Sequence, residues 1–144
     1  MVRSSNDVDV VLFEGWMLGF QDIEGGKIDQ NMKEINDLLA RYRPLHCLFD
    51  SWIVLALEDI DTVYNWRLQA EIMMRSIGKP GLSDSEVRDF VSRFMPAYKQ
   101  YLPNLYVNGP ECDPARQVDV LKLIIGTDRS VQSVEIMKKR SNKL

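Results

Sequence analysis

WIVLAL, residues Trp52 to Leu57, is the plainest structural signal in this chain. It follows Asp50-Ser51, stops at Glu58-Asp59, and is apolar throughout, with Ile and Val among its members. A run of this length and composition suits a strand buried on both faces better than a turn of buried helix. Two further runs read the same way. VDVVLF (Val8 to Phe13) ends at Glu14-Gly15, and VDVLKLII (Val118 to Ile125) ends at Gly126-Thr127-Asp128.

The segments between the runs carry helical spacing. Met32, Ile35, Leu38, Leu39 and Tyr42 form one stripe over Asp29 to Tyr42. Ile60, Val63, Tyr64, Leu68 and Ile72 form another over Ile60 to Ile77, with Asp59 or Asp61 able to cap its start. Lys79-Pro80-Gly81 breaks the chain. Ser83-Asp84-Ser85-Glu86 is a capping box, and Val87, Phe90, Val91, Phe94, Tyr98 and Tyr101 then recur at helical spacing. Pro96 should kink that helix near Ser92, and Pro103 should end it, because proline lacks the N–H and crowds the preceding turn. Asn108-Gly109-Pro110 to Pro114 reads as a surface loop, and the tail from Asp128 as a short helix fraying into Lys138-Lys139-Arg140. Strands separated by helices require crossovers, so the fold class is α/β: a parallel sheet with flanking helices, in one domain over residues 1–144.

Composition narrows the function classes. The chain has 144 residues, and 18 Lys+Arg against 21 Asp+Glu give a net charge of -3. That balance argues against a nucleic-acid surface, which needs clustered positive charge. The apolar runs are far shorter than the ~20 residues of a membrane helix, so no membrane partner is expected. Cys47, Cys112 and His46 are too few for a Cys/His zinc site or a disulfide scaffold, and a chain of this size needs no staple. Met1 to Asp9 is polar, without the apolar core of a secretory signal. An intracellular location is expected.

Ligands of open α/β sheets sit beyond the carboxyl ends of the strands. That rule selects Glu14, Gly15 and Trp16, then Glu58 and Asp59, then Gly126, Thr127 and Asp128. A carboxylate at such a strand end can hold magnesium, directly or through water; equally, Glu14 can simply face solvent. Arg67, Arg75, Arg88, Arg93 and Lys99 form a basic cluster around the Lys79-Pro80-Gly81 hinge. Arg67, Glu71 and Arg75 at i, i+4, i+8 fit a surface salt-bridge ladder, which the spacing alone favours. They also fit a lid whose guanidinium groups close over phosphate. His46-Cys47 and the aromatics Trp52, Trp66, Phe90, Phe94, Tyr98 and Tyr101 read as packing. Neither Gly25-Gly26-Lys27 nor Gly78-Lys79 completes the G-x-x-x-x-G-K-[ST] loop that cradles phosphates.

Three stretches together carry a resemblance: DVVLFEGWMLGF (Asp9 to Phe20), VYNWRLQAEIMMR (Val63 to Arg75) and LSDSEVRDFVSRFMPAYKQYLPNLY (Leu82 to Tyr106). They resemble the D-glycerate 3-kinase family, especially plant and algal members, over roughly residues 8 to 125. The family lies in the uridine kinase and phosphoribulokinase branch of P-loop kinases. It uses ATP and magnesium to convert D-glycerate to 3-phosphoglycerate, the last step of photorespiration in plastids.

The resemblance covers only the carboxyl-terminal half of such a kinase. It therefore implies a partial P-loop fold lacking the phosphate-binding-loop strand, with a helical lid-like region at about 60–106, and a chain inactive by itself. It implies Glu14 on the magnesium and substrate side, and Arg67 and Arg75 in the lid. The location would be the chloroplast if an upstream transit peptide exists, and the cytoplasm otherwise. The family's strand order, 2-3-1-4-5, would leave a missing strand between Val8–Phe13 and Trp52–Leu57, and exposed sheet edges invite self-association or a partner. Other readings of the same residues are a non-catalytic interaction module derived from a kinase, or half of a related sugar or nucleoside kinase.

Overall fold

The structure, a computed structural model, describes residues 9–26, 28–112 and 118–137. Three strands form one sheet in the order β1 (Ser51–Leu57), β2 (Asp119–Ile125), β3 (Val131–Met137). β1 and β2 run parallel, with Trp52 opposite Val120 and Leu57 opposite Ile125. β3 turns back against β2, Leu123 facing Val134, with a shift of register between Ile124 and Ile125. The sheet is therefore mixed and not wholly parallel.

The helices are α1 (Lys33–Leu39), α2 (Arg43–His46), α3 (Thr62–Ser76), α4 (Asp84–Ser92) and α5 (Met95–Asn108). The expected single helix over Asp29 to Tyr42 is broken into α1 between two 3-10 turns, Gln30–Met32 and Ala40–Tyr42. Met32 and Leu39 still turn inward, while Leu38 and Tyr42 stay exposed. The capping box forms as the sequence predicts: the Ser83 hydroxyl accepts from the Glu86 N–H, and the Glu86 carboxylate accepts from the Ser83 N–H. The break near Ser92 also forms, and Pro96 lies in the first turn of α5, where its missing N–H costs nothing.

Two helical expectations are corrected. Pro103 does not end α5, which continues to Asn108. A mid-helix proline costs ~3 kcal/mol, and here burial of Tyr101 and Leu105 on either side of it offsets that cost. Gly109, at φ +72, ends the helix instead, its N–H reaching the Leu105 carbonyl. Gly109 and Pro110 are buried and not a surface loop; residues 113–117, including Pro114, lie outside the described residues. The tail beyond Asp128 is a strand and not a helix. A tight turn, with Arg129 N–H on Gly126 O and Gly126 N–H on Ser130 O, brings Val131–Met137 back along the free edge of β2. Local helical spacing yields there to cross-strand pairing. Lys138-Lys139-Arg140 lie outside the described residues.

The first expected strand is also corrected. Residues 9–13 form no strand, Val11 and Leu12 are 80% and 86% exposed, and Val8 lies outside the described residues. A strand needs a ladder partner for its backbone groups, and none lies beside this segment among the described residues.

The core fills the space between α5 and one face of the sheet. Phe20 and Tyr101, both fully buried with ring centres 5.6 Å apart, meet Trp52, Val54, Val120, Leu105 and Ala97. A second cluster, Val87, Val91 and Met95 with Ile60, Val63, Tyr64 and Leu68, glues α3 to α4 and α5. Ile72, expected on the same stripe, is exposed. Cys47 and Cys112 are joined as a disulfide, 4.9 Å between Cα atoms, tying the approach to β1 to the segment after α5. Size alone did not require that staple, and the fold forms it nonetheless.

Candidate functional site

The parallel pairing brings the carboxyl ends of β1 and β2 together. Glu58 N–H donates to the Ile125 carbonyl at 3.2 Å, so Glu58-Asp59 and Gly126-Thr127-Asp128 leave the sheet side by side. Asp59 accepts from the Asp61 N–H at 2.9 Å, and its carbonyl accepts from the Thr62 N–H, which starts α3. Asp61 occupies the cap position without a side-chain bond. The Tyr106 hydroxyl accepts from the Leu57 N–H at 3.2 Å; burial pushes that phenol above its ordinary range.

α3 runs away from this edge, and Trp66 reaches back to it. Its indole N–H donates to the Thr127 carbonyl at 2.9 Å, and the Arg129 guanidinium lies 5.1 Å over its ring. Asn65, Trp66, Gln69, Ile72 and Thr127 line an open depression of ≈ 300 Å³ beside it. Asp128 is held in its own turn by the Ser130 N–H and hydroxyl, which lower its pKa. Trp66 is thus an edge residue and not core, as is the 40%-exposed Phe90, whereas Trp52 and Tyr101 are core.

Helices α3 and α4 are wired by ion pairs. Glu71 is buried; one of its carboxylate oxygens takes the Arg67 guanidinium, and the other accepts from the Leu82 N–H at 2.8 Å. Gly81 fits under that bond because a Cβ there would lie 3.1 Å from Glu71 Oε2 and 3.2 Å from its backbone oxygen. Arg67 also covers the Phe90 ring at 5.3 Å. Arg75 turns away from Glu71 and pairs with Asp84 at the start of α4, 2.7 Å. The expected ladder is therefore half formed, and its second rung crosses the hinge. Arg67 and Arg75 stand about 12 Å apart along the helix axis and do not converge on one point in this structure. Arg93 pairs with Asp89, and Arg88 and Lys99 are exposed.

Glu14 is exposed and has no partner among the described residues. Phe13 packs on Phe49, just before β1, with ring centres 5.5 Å apart. Among the described residues no contact joins Glu14 to Glu58, Asp59 or Thr127. Gly15 belongs to the turn after it, its carbonyl accepting from Leu18 N–H, and Trp16 stacks edge-on against Phe94 and Tyr98. His46 is buried, accepts the Gly19 N–H at its Nε2, and has its pKa lowered by burial; its Nδ1 has no partner among the described residues. Among the described residues no three acidic, His or Cys side chains gather where they could hold a metal.

Sequence reasoning missed two features. Glu71 lies three residues after Leu68, on the apolar stripe itself, and a carboxylate in that position signals a buried partner. The Trp66–Thr127 bond has no local signal, since the two residues come from segments joined only by the sheet.

No protein-family model matches the chain. It is 46% identical over 128 residues to the chloroplastic D-glycerate 3-kinase of Arabidopsis thaliana. This chain is homologous to part of a D-glycerate 3-kinase. The match spans 85% of the chain but 27% of the Arabidopsis protein. The probable ATP-dependent kinase TDA10 of Saccharomyces cerevisiae is 37% identical over 141 residues, 46% of its length. A D-glycerate 3-kinase structure from Cryptococcus neoformans superposes with a TM-score of 0.75 at 27% identity, over 90% of this chain and 50% of that one. The YGR205w structure gives 0.72 at 32% identity, over 86% and 46%. The chain thus spans half or less of the length of these relatives, and a kinase-like α/β architecture is common to them.

Proposed function

We propose that this chain is the carboxyl-terminal portion of a D-glycerate 3-kinase with a P-loop fold, and that it acts in phosphoryl transfer once joined to the phosphate-binding portion. The observation that carries this reading is the 46% identity to the Arabidopsis enzyme. The reaction moves the γ-phosphoryl group of ATP to a hydroxyl of D-glycerate. The hydroxyl oxygen bonds to phosphorus, the bond to the bridging oxygen breaks, ADP leaves, and the hydroxyl proton is released. Catalysis of this step is almost entirely positioning and charge stabilisation. A chain whose sequence holds no G-x-x-x-x-G-K-[ST] loop has negligible activity alone.

In the joined enzyme the residues divide the work. Arg67 and Arg75 exchange their carboxylate partners for phosphate oxygens as the α3–α4 lid closes. Glu71 keeps the hinge attached to α3 through Leu82. The Trp66 depression, open and flanked by Arg129, receives part of the nucleotide or substrate. Magnesium in nucleotide sites keeps several waters and takes one or two carboxylates beside the phosphates, so the unpartnered Glu14 carboxylate suits it, directly or through water. Magnesium, when bound, offsets the charge that develops on the phosphate oxygens. The chloroplast is the location this reading favours, by likeness to the plant relative.

The experiment is a chimaera in which this chain replaces the homologous portion of the Arabidopsis enzyme. It should form ADP and 3-phosphoglycerate from ATP and D-glycerate, and Arg67→Ala should lower kcat/KM on the order of 10²-fold. A folded chimaera without glycerate-dependent ADP release, or the isolated chain phosphorylating D-glycerate unaided, would refute the reading.

A further inference from the structure

Glu71 is a carboxylate where the helical pattern asks for an apolar side chain. It lies on α3 three residues after Leu68 and is buried. A buried carboxylate is costly unless it is both paired and hydrogen-bonded. Glu71 meets that need from two sides: one oxygen takes the Arg67 guanidinium, and the other accepts the Leu82 N–H at 2.8 Å. Leu82 immediately precedes Ser83, the N-cap of α4. One side chain therefore serves both an arginine of α3 and the backbone of the hinge. Gly81 allows the close approach, since a Cβ there would lie 2.9 Å from Arg75 Cγ and 3.1 Å from Glu71 Oε2.

The two members of this ion pair are unequal. The Arg67 side chain is 43% exposed and lies over the Phe90 ring, whereas that of Glu71 is 9% exposed. Arg67 can exchange its carboxylate for another anion without entering a drier place. Glu71 has no such freedom: stripped of its cation where it stands, it is a buried, unpaired charge. It must turn toward water, and turning gives up the Leu82 N–H. The other ties across the hinge are weaker. Arg75–Asp84 joins side chains 37% and 68% exposed and holds little. The Leu82 side chain is only partly buried against Val87 and Val91. Those two valines keep α4 docked, so the freedom gained is confined to residues 77–83.

Resting on the functional reading above, we infer that Glu71 is a positioning residue that ties the hinge to Arg67: the hinge is fixed to α3 while Arg67 sits on Glu71, and polyphosphate oxygens that draw Arg67 away set residues 77–83 free. The attachment through Leu82 thus belongs to the nucleotide-free enzyme. Nucleotide is felt at the hinge through Glu71, although the Leu82 amide touches no phosphate. Phosphate and Glu71 compete for one guanidinium, so the ion pair opposes ATP binding, and the hinge moves only after Arg67 has changed partners.

The test has two arms. In the isolated chain, Arg67→Gln should speed hydrogen exchange at the Leu82 amide by about tenfold or more, although Arg67 is not its acceptor. Adding Glu71→Gln should bring exchange back to within about threefold of the parent, because a glutamine oxygen still accepts from Leu82 and no buried charge is left. Arg67→Lys, which keeps the cation, should stay near the parent from the start. Parental exchange in Arg67→Gln overturns the inference, as do additive losses in the double variant or an Arg67→Lys chain as open as Arg67→Gln. In the chimaera described above, Glu71→Gln should lower the KM for ATP by about threefold or more, since Arg67 no longer has to leave a carboxylate. The same change on an Arg67→Gln background should leave KM where it is. No fall, or an equal fall on both backgrounds, overturns the inference. A parent chimaera that releases no ADP removes the functional reading alone, and the exchange arm then decides the coupling; an active chimaera with additive exchange losses does the reverse.

Discussion

The two faces of the sheet belong to the same strands and have nearly the same residue types, yet they live in different solvents. One holds Trp52, Val54, Ala56 and Val120 against Phe20, Tyr101 and Leu105. The other holds Ile53, Leu55, Val134 and Ile136 in water. Apolar side chains gain free energy only where they leave water, at ~25 cal/mol per Å², so the covered face stabilises this chain and the bare one does not. The difference teaches that the composition of a strand reports what it is built to contact, while the stability of a given polypeptide reports what it does contact.

The largest effect should come from the covered face. Phe20→Ala removes a ring with no solvent exposure and should cost about 3–5 kcal/mol in urea unfolding; a loss under about 1 kcal/mol would mean that the core is not the one described. Next comes the disulfide on the same side. It closes a loop of 65 residues, and Cys47→Ser should cost about 2–4 kcal/mol, matched by reduction of the parent and by replacement of both cysteines, after which reductant should have no further effect.

A third measurement uses the one histidine. Burial lowers the His46 pKa below its ordinary 6.5, so the unfolded chain binds the proton more readily than the folded one. Stability is then fully present above about pH 6.5 and falls as the pH drops through that value, by at most about 1.4 kcal/mol per unit. His46→Gln, which keeps an acceptor for Gly19, should flatten the profile between pH 7 and 5, and an unchanged profile would place the proton elsewhere. The smallest effect belongs to the bare face: Leu55→Ala should change the stability of the isolated chain by less than ~0.5 kcal/mol. A cost of 2 kcal/mol there would erase the contrast between the faces.

Much of the α3–α5 region could be read from local chemistry. The capping box at Ser83, the break at Lys79-Pro80-Gly81 and the boundary before Pro96 all depend on neighbours within four residues, and all form as expected. The errors lie where distant partners decide. Pro103 stays inside α5 because burial of Tyr101 and Leu105 outweighs a local cost. Val131–Met137 pairs with β2 although its own spacing suggested a helix. The VVLF segment has strand composition and no strand. Around the candidate site the Arg67–Glu71 rung was legible, but Asp84, which pairs with Arg75, and the Leu82 N–H, which donates to Glu71, come from across the hinge.

From residue order alone followed the α/β class, the helical segments of α3 to α5 with the Ser83 capping box, the strands β1 and β2, and a likeness to D-glycerate 3-kinases, because periodicity, capping and motif spacing are local properties. Only the tertiary structure decided that the sheet is mixed, that one of its faces is bare, that Cys47 meets Cys112, and that Glu71 is buried. Each of these depends on which surfaces find a partner across the chain, and burial energy is earned by contact, not by composition.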